Sequence, residues 1–348
     1  MRDRLRREAG AGVPLAEKIA FLKRPSSYPG RPRSVEAIET HMAWVFLAGS
    51  SAYKIKKPIR RSFLNFGSVA ARRRDAHEEV RLNRRLAPTV YHGAVRLSRD
   101  ATGHLALAGT GDTVDWLVWM RRLPRARMLD VKIERGTLRE ADVRSVAARL
   151  ARFYRNAEPV GYGPDAYLER FVTGARDTLR VLRRPEYGVA SGLVAQMEEM
   201  MNRFFCRSGD LLKERARRVV EGHGDLRPEH VCLEAEPIVI DCLAFNREFR
   251  LLDPADEISF LSLECERLGA THIGPVLRDA YRRETEDDPP DEVLELYRAY
   301  RAGIRAKLAI WHLDDDDVRR PETWRTLAES YLRLGVSTSG AKVPAENG

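Results

Sequence analysis

The chain has 348 residues, enough for two hydrophobic cores, and its 60 Lys and Arg against 51 Asp and Glu leave a net charge of +9. The basic residues are scattered among the acids, with no zinc-finger spacing, no RNP-like motif and no basic stripe interleaved with aromatics, which argues against nucleic acid as the partner. Four cysteines without a C-x-x-C pair disfavour zinc and redox motifs and fit a reducing, cytoplasmic setting; Met1–Glu8 is charged with no apolar segment behind it, and no apolar run nears the roughly 18 residues of a membrane helix.

The first third reads mainly as strand. Val35 to Leu47 ends in the apolar run Ala43–Leu47, Gly49-Ser50-Ser51 turns the chain, and Ala52 to Lys57 is extended again until Pro58. The alternation of a strand places Lys54 and Lys56 on one face and Lys57 on the other. Ser68 to Leu86 is helical in period, carries Glu78 and Glu79, and stops at Pro88. Val90 to Leu97 and Thr113 to Met120 read as further strands, the second running into Arg121-Arg122-Leu123-Pro124, a crossing into a second lobe. Beyond it the 3.6-residue period dominates: around Val143–Tyr154, then Tyr167–Leu182, Leu193–Phe205, Leu211–Val220, Asp256–Leu268, Val293–Trp311 and Thr323–Leu334. Gly222 to Arg250 interrupts the helices as loop plus hairpin. Strands followed by segregated helices make an α+β pattern. The expected division is 1–120, 121–335 and a disordered small-residue tail, 336–348.

Two acids carry the chemistry. Asp225 lies in the turn-rich loop His223-Gly224-Asp225-Leu226-Arg227-Pro228-Glu229-His230, and Asp241 ends the apolar run Ile238-Val239-Ile240. Phosphoryl transfer from a nucleotide needs one carboxylate to orient or deprotonate the acceptor hydroxyl and another to hold magnesium against the phosphates. Asp225 suits the first role, with His223 bracing the loop through backbone groups. Asp241 suits the second, because a carboxylate ending a buried strand is costly unless paired or metal-bound, and magnesium prefers oxygen ligands. His230, five residues after Asp225, stands where kinases place a second metal ligand. A strand lysine on the phosphates, Lys54 or Lys56, and a helix glutamate to hold it, Glu78 or Glu79, complete the order. The alternative for the lysines is a solvated basic edge strand. Asp314–Asp317 reads as a solvated charge run, and His77, His92, His104, His272 and His312 as structural or surface histidines.

In Thr40–Leu47, Ala52–Pro58, Glu78–Pro88, the 223–230 loop and Ile240–Asn246, the chain resembles the aminoglycoside phosphotransferase family of the wider protein-kinase-like fold. It is most similar to a bacterial subgroup of unknown substrate often fused to a P-loop ATPase domain. The resemblance spans about residues 30–335. It implies a two-lobe fold, with a small antiparallel-sheet lobe carrying one helix and a larger helical lobe. It also implies ATP, Mg2+ (with Mn2+ possible) and a small-molecule acceptor. By position, Asp225 resembles the catalytic base, Asp241 the metal-binding aspartate, Lys54 the phosphate lysine with Lys56 its rival, and Glu79 the lysine's partner with Glu78 close behind. Met120 falls where the hinge meets adenine, and Asp253 and Asp256 where acids tie the helical lobe together.

Two departures stand out. His230 replaces the family's Asn, and imidazole suits manganese or zinc better than magnesium. No G-x-x-x-x-G-K-[ST] occurs, so a P-loop ATPase partner would be a separate polypeptide. The reading is an ATP-dependent phosphotransferase acting on a hydroxyl. Its rivals are a nucleotide-binding pseudokinase or regulatory module without turnover, and a metal-dependent hydrolase built on His223, Asp225, His230 and Asp241.

Overall fold

A computed structural model describes residues 12–61, 63–314 and 320–337. The expectations for Met1–Glu8, for Asp315–Asp317 and for most of the 336–348 tail lie outside the described residues. The chain divides into two compact units, one of Met1–Arg125 with Ile238–Glu248, the other of Ala126–Pro237 with Phe249–Gly348.

The first unit is built on a six-stranded antiparallel sheet in the order β1-β2-β3-β8-β6-β7. The strands are β1 (Val35–Glu39), β2 (Ala43–Ala48), β3 (Ser51–Lys56), β6 (Tyr91–Arg99), β7 (Leu105–Leu107) and β8 (Asp112–Arg121); β4 (Arg60–Arg61) and β5 (Leu64–Asn65) form a separate small hairpin. Two helices accompany the sheet, α1 (Leu15–Leu22) and α2 (Val69–Asn83). The odd and even positions of β3 divide its surroundings. Tyr53 and Ile55 join Leu22, Tyr28, Phe46, Leu97 and Leu117 in an apolar core on one face, while Lys54 and Lys56 reach Glu79 of α2.

Ser68 caps α2 by accepting the Ala71 N–H (3.1 Å). Its inner face is unusual: Arg72, Asp75, Glu79 and Asn83, three and four residues apart, are all buried beside Ala76 and Val80. Such a polar stripe survives burial only when its charges are paired. Arg72 grips Asp115 of β8 through two bonds (2.6 and 2.9 Å), and Lys18 of α1 joins the same carboxylate at 2.7 Å. This buried triad ties both helices to one strand. The sequence pattern missed α1; its eight residues are too few to establish a period, and Lys18 on its buried side reads as surface.

The second unit is helical: α3 (Leu129–Glu134), α4 (Glu140–Arg155), α5 (Pro164–Leu182), α6 (Ser191–Arg215), α7 (Pro254–Arg267), α8 (Ile273–Thr285), α9 (Asp291–Ile310) and α10 (Pro321–Val336). Helix α6 runs from the first of the two segments read separately from sequence into the second, across a kink at Ser208, and ends at Arg215; Ala216–Arg218 is a 3-10 turn and Val220 begins a short strand. The core gathers Tyr167, Phe171, Met197, Leu212, Leu263, Tyr297, Ala302 and Tyr331. A buried ionic knot anchors α7. Arg215 holds Asp253 (2.6 and 2.8 Å) and Asp287 (2.6 Å twice), Tyr297 donates to Asp253 (2.8 Å), and Asp253 caps α7 at Ala255 (3.0 Å). Asp256 is gripped by both arms of Arg301 (2.7 Å each).

The segment Ile238–Glu248, read from sequence as part of the helical lobe, clusters instead with the first unit. Its backbone explains why. The Val239 N–H reaches the Leu86 carbonyl (3.5 Å), the Asp241 N–H the Tyr91 hydroxyl (3.1 Å), and the Cys242 N–H the Asn83 amide oxygen (2.9 Å).

Candidate phosphotransfer site

In the first unit, β3, α2 and the turn after Ile238–Val239 bring together two ammonium groups and three carboxylates. Lys54 Nζ lies 2.5 Å from Asp241 Oδ1 and 3.0 Å from Glu79 Oε1. Lys56 Nζ lies 2.8 Å from Glu79 Oε2 and 3.4 Å from Asp75 Oδ2. Glu79 therefore bridges both lysines with one oxygen each, while 1% of its side chain is exposed. The lysines compensate its buried charge: burial alone would raise the Glu79 carboxyl, yet Lys54 and Lys56 hold it below the ordinary range. Burial likewise works against the Lys54 ammonium, but Asp241 and Glu79 hold it well above the usual lysine value. Asp75 is the weaker corner. Burial and the neighbouring Glu79 raise its carboxyl against the pull of Lys56.

The sequence left Lys54 against Lys56 and Glu79 against Glu78 open. Only Lys54 of the two lysines reaches Asp241 among the ion pairs of the described residues. Glu78 points outward and pairs with Arg81 on the surface (2.7 Å). Lys57 leaves by the opposite face to Glu39 (2.6 Å). Met120 lies on β8 opposite Ala52, on the same face of the sheet as Lys54, which stands opposite Val118; it is buried. Trp119, on the other face, is 39% exposed and stacks on Tyr53.

Asp241 occupies the left-handed region at φ 62°, uncommon for a non-glycine residue although Asp is among the side chains that tolerate it. The Tyr91 hydroxyl and the Asn83 amide impose it here, by fixing two successive N–H groups. Asn83 also donates to the Glu79 carbonyl (2.8 Å), so one side chain couples the helix to the turn. The Asp241 side chain is 45% exposed. An accessible carboxylate fits magnesium, which takes one or two protein oxygens and completes its shell from phosphate and water. No group of three or more His, Cys, Asp and Glu side chains is gathered for a metal among the described residues.

In the second unit the loop after Gly222 is pinned from beneath by Glu257 of α7. Its buried carboxylate accepts the His223 N–H (2.9 Å), the Gly224 N–H and the Tyr154 hydroxyl (2.9 Å). Burial raises the Glu257 carboxyl despite these donors. A Cβ on Gly222 would come within 2.6 Å of Glu257 Oε2 and 2.8 Å of Leu252 Cδ1, so a side chain here would have to displace both the Glu257 carboxylate and the Leu252 methyl. Gly224, at φ 89°, makes the turn that follows.

Within the loop, the Asp225 N–H reaches His223 Nδ1 (3.3 Å), which gives His223 a bracing contact. Asp225 Oδ2 accepts from Arg227 Nε at 3.1 Å. Burial opposes ionisation of Asp225, but Arg227, His230, Arg305 and His223 together hold its carboxyl below the usual range. His230 Nδ1 lies 2.8 Å from the Asp225 carbonyl. A carbonyl only accepts, so Nδ1 carries the hydrogen, and Nε2 then faces Arg227 Nη2 at 3.3 Å. Both ring nitrogens of His230, the residue expected as a second metal ligand, thus have partners within the same loop. Glu257, Tyr154, Asn83, Tyr91, Asp75 and Arg227 went unassigned in the sequence. For Glu257 the sequence offers one signal, its place next to Asp256, where the resemblance puts an acid that ties the helical lobe together.

No protein-family model matches the chain. It is 32% identical over 280 residues to uncharacterized proteins of Mycobacterium tuberculosis and Mycobacterium bovis, over 79% of this chain and 54% of theirs. The chain spans about half the length of these curated relatives. Among solved structures it is similar to the GDP complex of aminoglycoside 2'-phosphotransferase-IIIa (TM-score 0.56, 13% identity, 88% of this chain and 93% of that one). It is also similar to choline kinase from Cryptosporidium parvum (TM-score 0.50, 10% identity, 91% and 94%). The small antiparallel-sheet unit, the helical unit and these likenesses together give the chain the two-lobe, protein-kinase-like fold shared by aminoglycoside phosphotransferases and choline kinases.

Proposed function

We propose that the protein is an ATP-dependent phosphotransferase that moves the γ-phosphate to a hydroxyl of a small molecule. The observation that carries this reading is the Lys54–Glu79–Asp241 cluster, an ammonium held by a buried carboxylate beside an accessible one. Lys54 anchors the nucleotide phosphates, and Glu79 keeps it extended and charged. Asp241 would hold a magnesium ion, which when bound would neutralise charge on the phosphates. Met120 supplies an apolar contact for the base. Asp225 accepts the proton of the acceptor hydroxyl while that oxygen bonds to the γ-phosphorus. The bond from phosphorus to the β–γ bridging oxygen breaks, and its electron pair leaves on ADP. Positioning and fixed charge supply the acceleration in such a reaction.

His230 serves as a brace for the catalytic loop, in keeping with its two engaged nitrogens. The neighbours named above are similar to this chain in fold alone, so the acceptor follows from none of them. The test is Asp225→Asn. ATP turnover should be lost, while thermal stabilisation by Mg-ATP stays at the wild-type value; full turnover by the variant would sink the assignment.

A further inference from the structure

We propose that Arg227 is a positioning residue that holds Asp225 by Oδ2 and thereby presents Oδ1 to the acceptor hydroxyl. This rests on the phosphotransferase reading above.

Each corner of the guanidinium is used. Nε meets Asp225 Oδ2 at 3.1 Å, Nη1 meets Glu229 Oε1 at 2.6 Å, and Nη2 faces His230 Nε2 at 3.3 Å. A planar fork fixed at three points cannot swing, and it fixes in turn the carboxylate it holds. His230 is itself tied to the Asp225 carbonyl, so the loop closes on itself through Arg227. Asp225 Oδ1 has no hydrogen-bond partner among the described residues, and 32% of the side chain is exposed. A carboxylate with one oxygen tethered and the other open presents one defined oxygen, in a fixed plane, to an incoming O–H. Without the tether the group rotates about its last bond and also loses its nearest compensating charge. Asp225 remains the group that touches substrate, and Arg227 acts through it. Glu229 holds Arg227 through Nη1, which gives this half-buried acid a task that loop solvation would not require.

The experiment measures steady-state ADP release, with water as the acceptor, for wild type, Arg227→Gln, Arg227→Lys and Glu229→Gln. Mg-ATP thermal shifts and melting curves run alongside. A misplaced catalytic group costs up to about 100-fold in rate. Arg227→Gln should therefore lower kcat roughly 10- to 100-fold with KM for ATP within about threefold. Arg227→Lys, which restores the charge and one bond, should recover part of that loss, and Glu229→Gln should fall between it and wild type. Unchanged kcat in Arg227→Gln overturns the proposal. So does a rise in KM that accounts for the whole effect, or a loss that Arg227→Lys does not relieve at all. A wild-type protein that binds and turns over no ATP defeats the phosphotransferase reading itself, a result separable from the variant comparison because it appears before any substitution is made.

Discussion

Replacing Glu79 by Gln strikes the centre of the charged cluster while keeping side-chain volume. The carboxylate faces two ammonium groups at 3.0 and 2.8 Å. At an effective dielectric near 20, each contact is worth about 5–6 kcal/mol before desolvation is counted. Most of that is offset by the cost of burying the ions, and removing one partner of a buried pair typically costs about 3–5 kcal/mol. Asp241 and Asp75 remain to share the two lysines, so the low end applies, about 3 kcal/mol. Urea unfolding followed by Trp fluorescence measures it, since the first unit carries Trp44, Trp116 and Trp119. Glu78→Gln is the control. Its partner Arg81 is on the surface, and exposed pairs contribute about 0–1 kcal/mol. Acid titration gives a second reading. The Glu79 carboxyl is held below its unfolded value, so its stabilisation is present above that value and disappears as pH falls through the folded one. The variant should lack this part of the acid limb. If Glu79→Gln unfolds within about 0.5 kcal/mol of Glu78→Gln, the usual size of a surface effect, the cluster does not hold α2 to the sheet.

Other consequences concern the second unit. Glu257→Gln replaces an oxygen by an amide that donates toward a site where two N–H groups and a hydroxyl already converge. At least one buried donor loses its partner, for about 1–3 kcal/mol of stability, and ATP turnover should fall with it; unchanged unfolding and turnover would refute the anchoring role. Asp287 is pushed up by burial but held below the ordinary range by hydrogen bonds from Arg215 and Tyr281. Its contribution is complete above the unfolded value near 3.9 and is lost as pH falls through the folded one. Asp287→Asn should therefore flatten the stability curve below about pH 4, and a superimposable acid limb would contradict this.

Much of the fold and part of the candidate site are legible in the sequence, for identifiable reasons. The loop around Asp225 announces itself through Gly224 and Pro228, and Asp241 through an acid closing an apolar run, so both stand out against their neighbours. Helices α4, α5 and α9 carry apolar residues at regular spacing and declare their buried faces. Helix α2 does not, because its inner face is built from Arg72, Asp75, Glu79 and Asn83, which pattern reading assigns to solvent. For the same reason Glu78 and Glu79 could not be separated: the burial that distinguishes them depends on Lys54 and Lys56, more than twenty residues upstream. Glu257 was hidden because a glutamate on an amphipathic helix ordinarily faces water. The placement of Ile238–Glu248 depends on the Tyr91 hydroxyl and the Asn83 amide, long-range polar contacts that leave no local trace.

The central claim is that nucleotide phosphates lie against Lys54 and a magnesium ion on Asp241. The most direct measurement is thermal unfolding of wild type and Asp241→Ala with and without Mg-ATP. Ligand at about 100 times its dissociation constant should stabilise the wild type by about 2.7 kcal/mol. The account predicts a clear rise in Tm for the wild type that is lost in Asp241→Ala. An equal rise in both proteins, or none in a folded wild type with either magnesium or manganese, would contradict it.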